Sequence, residues 1–305
     1  MLGRIIELTH EGSFVRMERG FLIVENDETG GGRAPLDDIE AVIASAQRVT
    51  YSNAALAALA DRGAPLVICG KNYAPTAVVM PVSGQFEQGV RMAAQAKAVK
   101  PLCKRLWAQI VRAKILAQSG ALDQIGVGAE RLKTLARTIR SGDPTNHEAQ
   151  AAQAYWPLLM GKGFRRDREG PGANSFLNYG YAVLRAATAR AIVGAGLHPS
   201  LSIQHQSRGD ALRLADDLME PFRPAVDLIA RDLVLSGESD LTPAAKRHLS
   251  AVLHADYATE AGVSTLSTCL SRLSLSLAYA YLGRVEKLDF PKSAIPLPNH
   301  VGAAE

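Results

Sequence analysis

FEQGVRMAAQAKAVKPLCKRLWAQIVRAKILAQ, residues 86–118, divides the chain into two textures. Apolar side chains recur in it every three or four residues, the period of one helix face. The spacing predicts one long helix, or two broken at Pro101, whose ring removes a backbone donor and crowds the preceding turn. Lys97, Lys100, Lys104, Arg105, Arg112 and Lys114 lie between the apolar positions. Such a row could track phosphates, although a solvated helix face is the more common explanation.

Upstream the texture is that of strands. Residues 2–8, 13–18 and 20–25 are short runs rich in Ile, Leu, Val and Phe, separated by Gly12 and by Arg19-Gly20, and read as antiparallel strands. Residues 39–44, 65–69 and 76–80 read as further strands. SNAALAALADR (52–62) reads as a short helix capped by Ser52 or Asn53 and ended by Gly63. Downstream, helices are expected over 129–140, 145–160, 173–194, 209–234, 242–254 and 260–282. The fold class is therefore α+β: a small β-sandwich-like domain (1–83), a linker (84–92) and a larger all-α domain (93–288). Residues 289–305 contain prolines and no periodicity, and are expected to form a mobile tail.

Nearly half of the 305 residues are apolar (47%) and 21% are charged, the profile of a soluble globular protein. No apolar run approaches the ~20 residues that span a bilayer. No signal peptide precedes the first strand, so a cytoplasmic location is expected. Cys69, Cys103 and Cys269 lie far apart and without metal-ligand spacing, which points to reduced thiols. The charge is uneven. Of 34 Lys/Arg and 30 Asp/Glu, the first 85 residues hold 7 and 10, leaving 27 and 20 for the remainder. A basic C-terminal part suits a polyanionic partner, though charge alone more often serves solubility.

Two stretches could carry chemistry. In DPTNHEAQAAQAYW (143–156), Asn146 is a good helix cap and places Glu148 in the first turn. An acid there favours the helix dipole, but Glu148 also projects on the side of Ala152, Tyr155 and Leu159, where a carboxylate needs a cation or donors. In LHPSLSIQHQSRGDALRLADDLMEPFRPAVD (197–227), His205 lies in a polar link before the next helix. On that helix, Asp217 and Glu220 are three apart, so their carboxylates are neighbours opposite an apolar stripe. A solvated acidic face is the usual reason for such a pair. Pro221 must kink or restart the helix and so pins the Glu220 backbone. One histidine with two or three carboxylates suits Mg²⁺ or Mn²⁺ better than zinc, and such a cation neutralises phosphate oxygens. Lys162, Arg165 and Arg166 in GKGFRR (161–166), with Arg208 and Arg223, could hold a nucleic-acid backbone.

NHEAQAAQAYW (146–156), GFRRD (163–167), NSFLNYGYAVLRAATAR (174–190), LHPSLSIQH (197–205) and DLMEPFRPAVD (217–227) together resemble the CRISPR-associated spacer-acquisition integrases, the Cas1 family, and specifically its type II branch. The resemblance extends to FLIVEND, SNAALAALADRGAPLVICG and PTAVVMP, and covers residues 1 to about 285. It implies a metal site of Glu148, His205 and Glu220, with Asp217 a weaker ligand candidate. It implies a metal-dependent DNA endonuclease and integrase that joins the 3′-hydroxyl ends of a prespacer duplex to the CRISPR repeat by transesterification. It further implies a homodimer formed through the β domains, and a heterohexamer with the small companion protein Cas2. A stand-alone nuclease acting on branched DNA and a non-catalytic DNA-binding scaffold are the alternatives.

Overall fold

AVIA (41–44) and LVIC (66–69) are apolar at every position, on both faces of a strand, and the fold explains why. In the computed structural model, which describes residues 4–28, 30–70, 75–82, 87–167, 170–205 and 211–298, they belong to β5 (Ile39–Ala44) and β7 (Leu66–Cys69). Both lie inside a four-stranded sheet ordered β1-β5-β7-β8, with β1 at Arg4–Leu8 and β8 at Pro75–Val79. Val42 and Leu66 face a second sheet, ordered β4-β3-β2-β6. That sheet is built from β2 (Ser13–Glu18), β3 (Phe21–Glu25), β4 (Gly32–Pro35) and β6 (Val49–Tyr51). Ile43, Val67 and Cys69 point the other way, into the buried cluster of the helical part. Alternate residues thus serve two cores.

This double burial corrects the expected antiparallel arrangement. Of the three strands expected to pair antiparallel, β2 and β3 do so, β4 extends them, and β7 and β8 are also antiparallel. β1 pairs in parallel with β5, and β5 in parallel with β7. Parallel pairing suits strands covered on both faces, because neither face needs to be polar. Helix α1 (Asn53–Asp61) starts where the sequence predicts, with the Ser52 side chain accepting from the Ala55 N–H.

The linker expectation also changes. Helix α2 (Gln88–Ala96) begins within residues 84–92, and its Arg91 is buried, donating to the Ala195 carbonyl at 2.9 Å. The break before Pro101 is real, and α3 (Lys100–Gln124) follows. Next come α4 (Glu130–Thr138), α5 (His147–Met160) and α6 (Ala173–Gly194). α6 is apolar nearly all round and lies at the centre of the helical part. A Cβ on its Gly180 would lie 2.4 Å from Val226 Cγ1, so the glycine lets the helix that carries Val226 approach closely.

The helix expected over 209–234 is split. α7 (Arg213–Met219) gives way to a 3-10 turn at Glu220–Phe222, and α8 (Arg223–Leu235) resumes after it. Pro221 and Pro224 remove the donors that would carry the α-helix through. After α9 (Pro243–Ser250), residues 256–265 form a hairpin of β9 (Asp256–Thr259) and β10 (Gly262–Thr265), where a helix was expected from residue 260. The β-branched residues Val263 and Thr265 favour the strand. α10 (Leu266–Tyr281) closes the helical part.

Residues 289–298 are docked, contrary to the expected mobile tail. The Lys292 N–H donates to Ala258 O at 2.7 Å and the Leu297 N–H to Asp256 O at 2.7 Å, so the segment follows the β9 strand. Phe290 and Ile295 pack against the core. The N-terminal sheet is tied to the helices by the Glu7–Lys246 ion pair at 2.9 Å, between β1 and α9. Among the described residues no helix is long and apolar enough to cross a membrane, and the three cysteines are free thiols.

Candidate active site

Glu148 owes its position to two side chains at the start of α5. Asn146 sits in the left-handed region (φ 53°) and its side chain accepts from the Ala149 N–H, as its cap role requires. Asp143 accepts from the His147 and Glu148 N–H groups at 2.9 and 3.0 Å. Together they satisfy the free donors of the first turn. Tyr155 and Leu159 are buried on the same face, and the Glu148 side chain is 26% exposed.

His205 is fixed by Asp217. The buried Asp217 carboxylate accepts from the Ile203 N–H at 2.6 Å, the Gln204 N–H at 3.1 Å and the His205 N–H at 3.3 Å. Its Oδ1 also lies 2.6 Å from His205 Nδ1, and Trp107 stands edge-on to the imidazole. The Asp217 hydrogen bond raises the His205 pKa against the opposing effect of partial burial. Asp217 is thus committed to the loop and the ring. With Nδ1 held by Asp217, Nε2 of His205 is turned away from that carboxylate. The link is held from outside by α2, whose Gln95 donates to the carbonyls of His198 and Leu201 at 3.0 and 2.8 Å.

Glu220 lies in the 3-10 turn and is 3% exposed, so the solvated acidic face read from the sequence is not what forms. Its Oε1 pairs with Arg223 at 3.2 Å, and Oε2 lies 2.6 Å from Lys114 Nζ. Lys114 also reaches Glu148 Oε1 at 2.7 Å. Two carboxylates from separate segments therefore meet on one ammonium. Burial pushes the Glu220 carboxyl up, but Arg223 and Lys114 outweigh it and leave it below the usual range. Burial likewise opposes the Lys114 charge, and the Glu220 and Glu148 carboxylates outweigh it, so the ammonium is held above its usual range.

A divalent cation suits the donor types here. Two oxygen donors and an imidazole nitrogen match the preferences of Mg²⁺ and Mn²⁺. Glu220 Oε2 is buried against Lys114 Nζ at 2.6 Å, one donor for an oxygen with two lone pairs, which leaves the other for a cation. The His205 charge also reaches Glu220 electrostatically. Yet among the described residues no three His, Cys, Asp or Glu side chains are gathered closely enough to hold a metal ion as they stand.

The expected DNA-contacting cations differ in availability. Lys162 and Arg165 are exposed in the loop after α5. Arg166 is engaged with Asn174 at 3.0 Å and Asn178 at 2.7 Å, and lies over the Tyr181 ring. Arg223 is engaged by Glu220 and by the same ring. Arg208 lies outside the described residues.

Lys114 is the residue that the sequence reading placed in a solvated row. Its neighbours three and four positions away, Ile110, Val111, Ala117 and Gln118, are all buried. That spacing could have marked it as an inward-facing cation. Asp143 was equally legible as a second acid just before the Asn146 cap.

Two packed sheets are followed by helices around a central α6, with two acids from separate segments meeting on Lys114 and a histidine held by Asp217. The chain belongs to the family described as "CRISPR associated protein Cas1", whose sequence profile matches residues 6–260. It is 38% identical over 258 residues to the CRISPR-associated endonuclease Cas1 of Neisseria meningitidis serogroup C, covering 83% of this chain and 84% of that protein. A second relative, CRISPR-associated endonuclease Cas1 2 of Pyrobaculum aerophilum, is 29% identical over 286 residues, covering 88% and 96%. Among solved structures, a casposase bound to integration product superposes with a TM-score of 0.81 at 21% identity, covering 95% of this chain and 94% of that one. A CAS1 protein from Thermotoga maritima superposes with a TM-score of 0.74 at 16% identity, covering 92% and 97%. At these identities the two structures speak to the fold.

Proposed function

We propose that the protein is a metal-dependent DNA endonuclease and integrase of CRISPR adaptation, which joins prespacer 3′-hydroxyl ends to the CRISPR repeat. The observation that supports this reading is the convergence of Glu148 and Glu220 on one buried cation, with His205 held in one orientation by Asp217. Glu148, His205 and Glu220 would hold Mg²⁺ or Mn²⁺. Bound there, the ion supplies neutralisation of phosphate oxygens and of the charge developing on the leaving 3′-oxygen. In the joining step the prespacer 3′-oxygen forms a bond to a repeat phosphorus as the existing 3′ P–O bond breaks. Asp217 keeps the His205 ring in one orientation. Asp143 fixes the first turn that carries Glu148. Lys162 and Arg165 bind the DNA backbone.

The partners follow from the same reading. Relatives named as endonucleases support the nuclease activity, and the structural likeness to a casposase bound to integration product is consistent with joining. Structures titled as a Cas6-RT-Cas1–Cas2 complex and a TtCas1–DNA complex superpose with TM-scores of 0.74 and 0.55. These complexes support DNA and Cas2 as partners; a homodimer paired through the N-terminal sheets, a heterohexamer and a cytoplasmic place belong to the same proposal and rest on the family resemblance alone.

The test is Glu148→Ala with labelled prespacer duplex and a repeat-containing plasmid. Joining should be lost and duplex binding kept, because the change removes a ligand and leaves the basic surface intact. Full joining by the variant would refute the metal-site reading. Wild-type products that are nicks alone would favour a stand-alone nuclease. DNA binding by the wild type with neither joining nor cleavage would indicate a scaffold.

A further inference from the structure

Four charged side chains meet where Glu148, Glu220, Lys114 and Arg223 converge, and their formal charges cancel. Lys114 is central to the balance. It comes from α3, is only 13% exposed and reaches both acids, at 2.7 and 2.6 Å. Arg223 touches Glu220 alone, on the other oxygen. The lysine therefore stands where a second cation would have to stand to meet both carboxylates. Both contacts are charge-assisted and within hydrogen-bond distance.

We propose that the Lys114 ammonium is a built-in counter-cation at the metal position, which holds Glu148 and Glu220 together in the metal-free protein and must move aside for a divalent ion to bind. The inference rests on the metal site of the preceding section. Without the lysine, two carboxylates would face each other across a poorly hydrated gap with Arg223 as their sole compensation, an arrangement that like charges resist. With it, the metal-free site is neutral and has no net attraction for a phosphodiester. A divalent ion that enters while Lys114 remains nearby leaves the site with two positive charges, so attraction for the DNA backbone would be conferred by metal loading. Lys114 thereby sets the metal concentration at which the site forms.

The experiment uses the full chain with Mn²⁺ as probe, read by calorimetric titration and by melting temperature in EDTA and in Mn²⁺. Lys114→Met should bind Mn²⁺ at least tenfold more tightly than wild type. It should also melt lower in EDTA and gain more from Mn²⁺. Lys114→Arg keeps the charge and should leave affinity within a few-fold of wild type. Lys114→Met combined with Glu148→Gln should recover much of the melting temperature lost in EDTA, since both partners of the pair are then neutral. This second arm needs no metal and remains readable if the single variant folds poorly. Equal or weaker Mn²⁺ binding by Lys114→Met, with the EDTA coupling intact, would overturn the displacement and make Lys114 a scaffold for the acids. Absence of that coupling would overturn the counter-cation role. Failure of the underlying metal reading looks different: neither wild type nor Lys114→Met would bind Mn²⁺, whatever the coupling in EDTA.

Discussion

Asp217 accepts from three successive backbone amides, those of Ile203, Gln204 and His205, while its Oδ1 lies 2.6 Å from the imidazole of His205. One carboxylate therefore fixes both the loop and the ring. An imidazole so bound through Nδ1 offers Nε2 outward, and the acid keeps it there.

Replacing this acid separates its two tasks. Asp217→Asn keeps the volume and one carbonyl oxygen, and should weaken Mn²⁺ binding by roughly 10–100-fold through loss of ring orientation. Asp217→Ala leaves three buried amides without their acceptor and should also destabilise the fold by about 3–5 kcal/mol. Calorimetric titration and urea unfolding read the two effects. Unchanged Mn²⁺ affinity in Asp217→Asn would remove the positioning role.

Asp227 should govern part of the pH dependence of stability. Burial raises its pKa to about 6 from 3.8, although the Tyr181 and Tyr155 hydroxyls and nearby Arg223 pull it down. The folded protein then holds a proton on Asp227 that the unfolded chain has already released. This favours folding fully below about pH 4 and is lost as the pH rises through about 6, a change of roughly 3 kcal/mol at most. Urea unfolding at pH 4.5 and 7.5 should show this decline in wild type and a flatter profile in Asp227→Asn. Identical profiles would mean that the group titrates alike in both states.

The α6–α8 contact depends on an absent side chain. Gly180→Ala would drive a Cβ to 2.4 Å from Val226 Cγ1 and 3.3 Å from Leu249 Cδ2. Overpacking of this kind costs about 1–3 kcal/mol. The double variant Gly180→Ala/Val226→Ala should recover part of the melting temperature that Gly180→Ala loses. If the pair is no better than additive, the helices do not meet at that point.

Removal of residues 289–305 tests the docked segment. It deletes the Asp289 partner of Arg272, at 2.9 Å, and the apolar contacts of Phe290 and Ile295. Burial of two such side chains is worth about 1.5–3 kcal/mol each before ordering costs. The shortened chain should melt several degrees lower. An unchanged melting temperature would return this stretch to the mobile tail expected from its composition.

The parts legible in the sequence are those decided locally. α6 spans Ala173–Gly194, as its periodicity predicts, and the Asn146 cap places Glu148 in the first turn of α5. Pro221 breaks its helix where the ring requires it. The pairing of β1 with β5 was not legible, because strand partners are chosen by burial from both sides and no short window contains that information. Lys114 was misread for a related reason. A basic row looks the same whether one member faces water or two acids that the chain supplies much later. The role of Asp217 was hidden too, since a carboxylate that collects backbone amides cannot be told by spacing from one awaiting an ion.

The Glu7–Lys246 bond fastens a strand of the first sheet to α9, and Lys246 also lies over the Tyr179 ring of α6. The first sheet, α9 and the helix at the centre therefore all meet at Lys246. A single ammonium is thus a rivet between the two halves of the fold, and its loss would undo both of these fastenings at once.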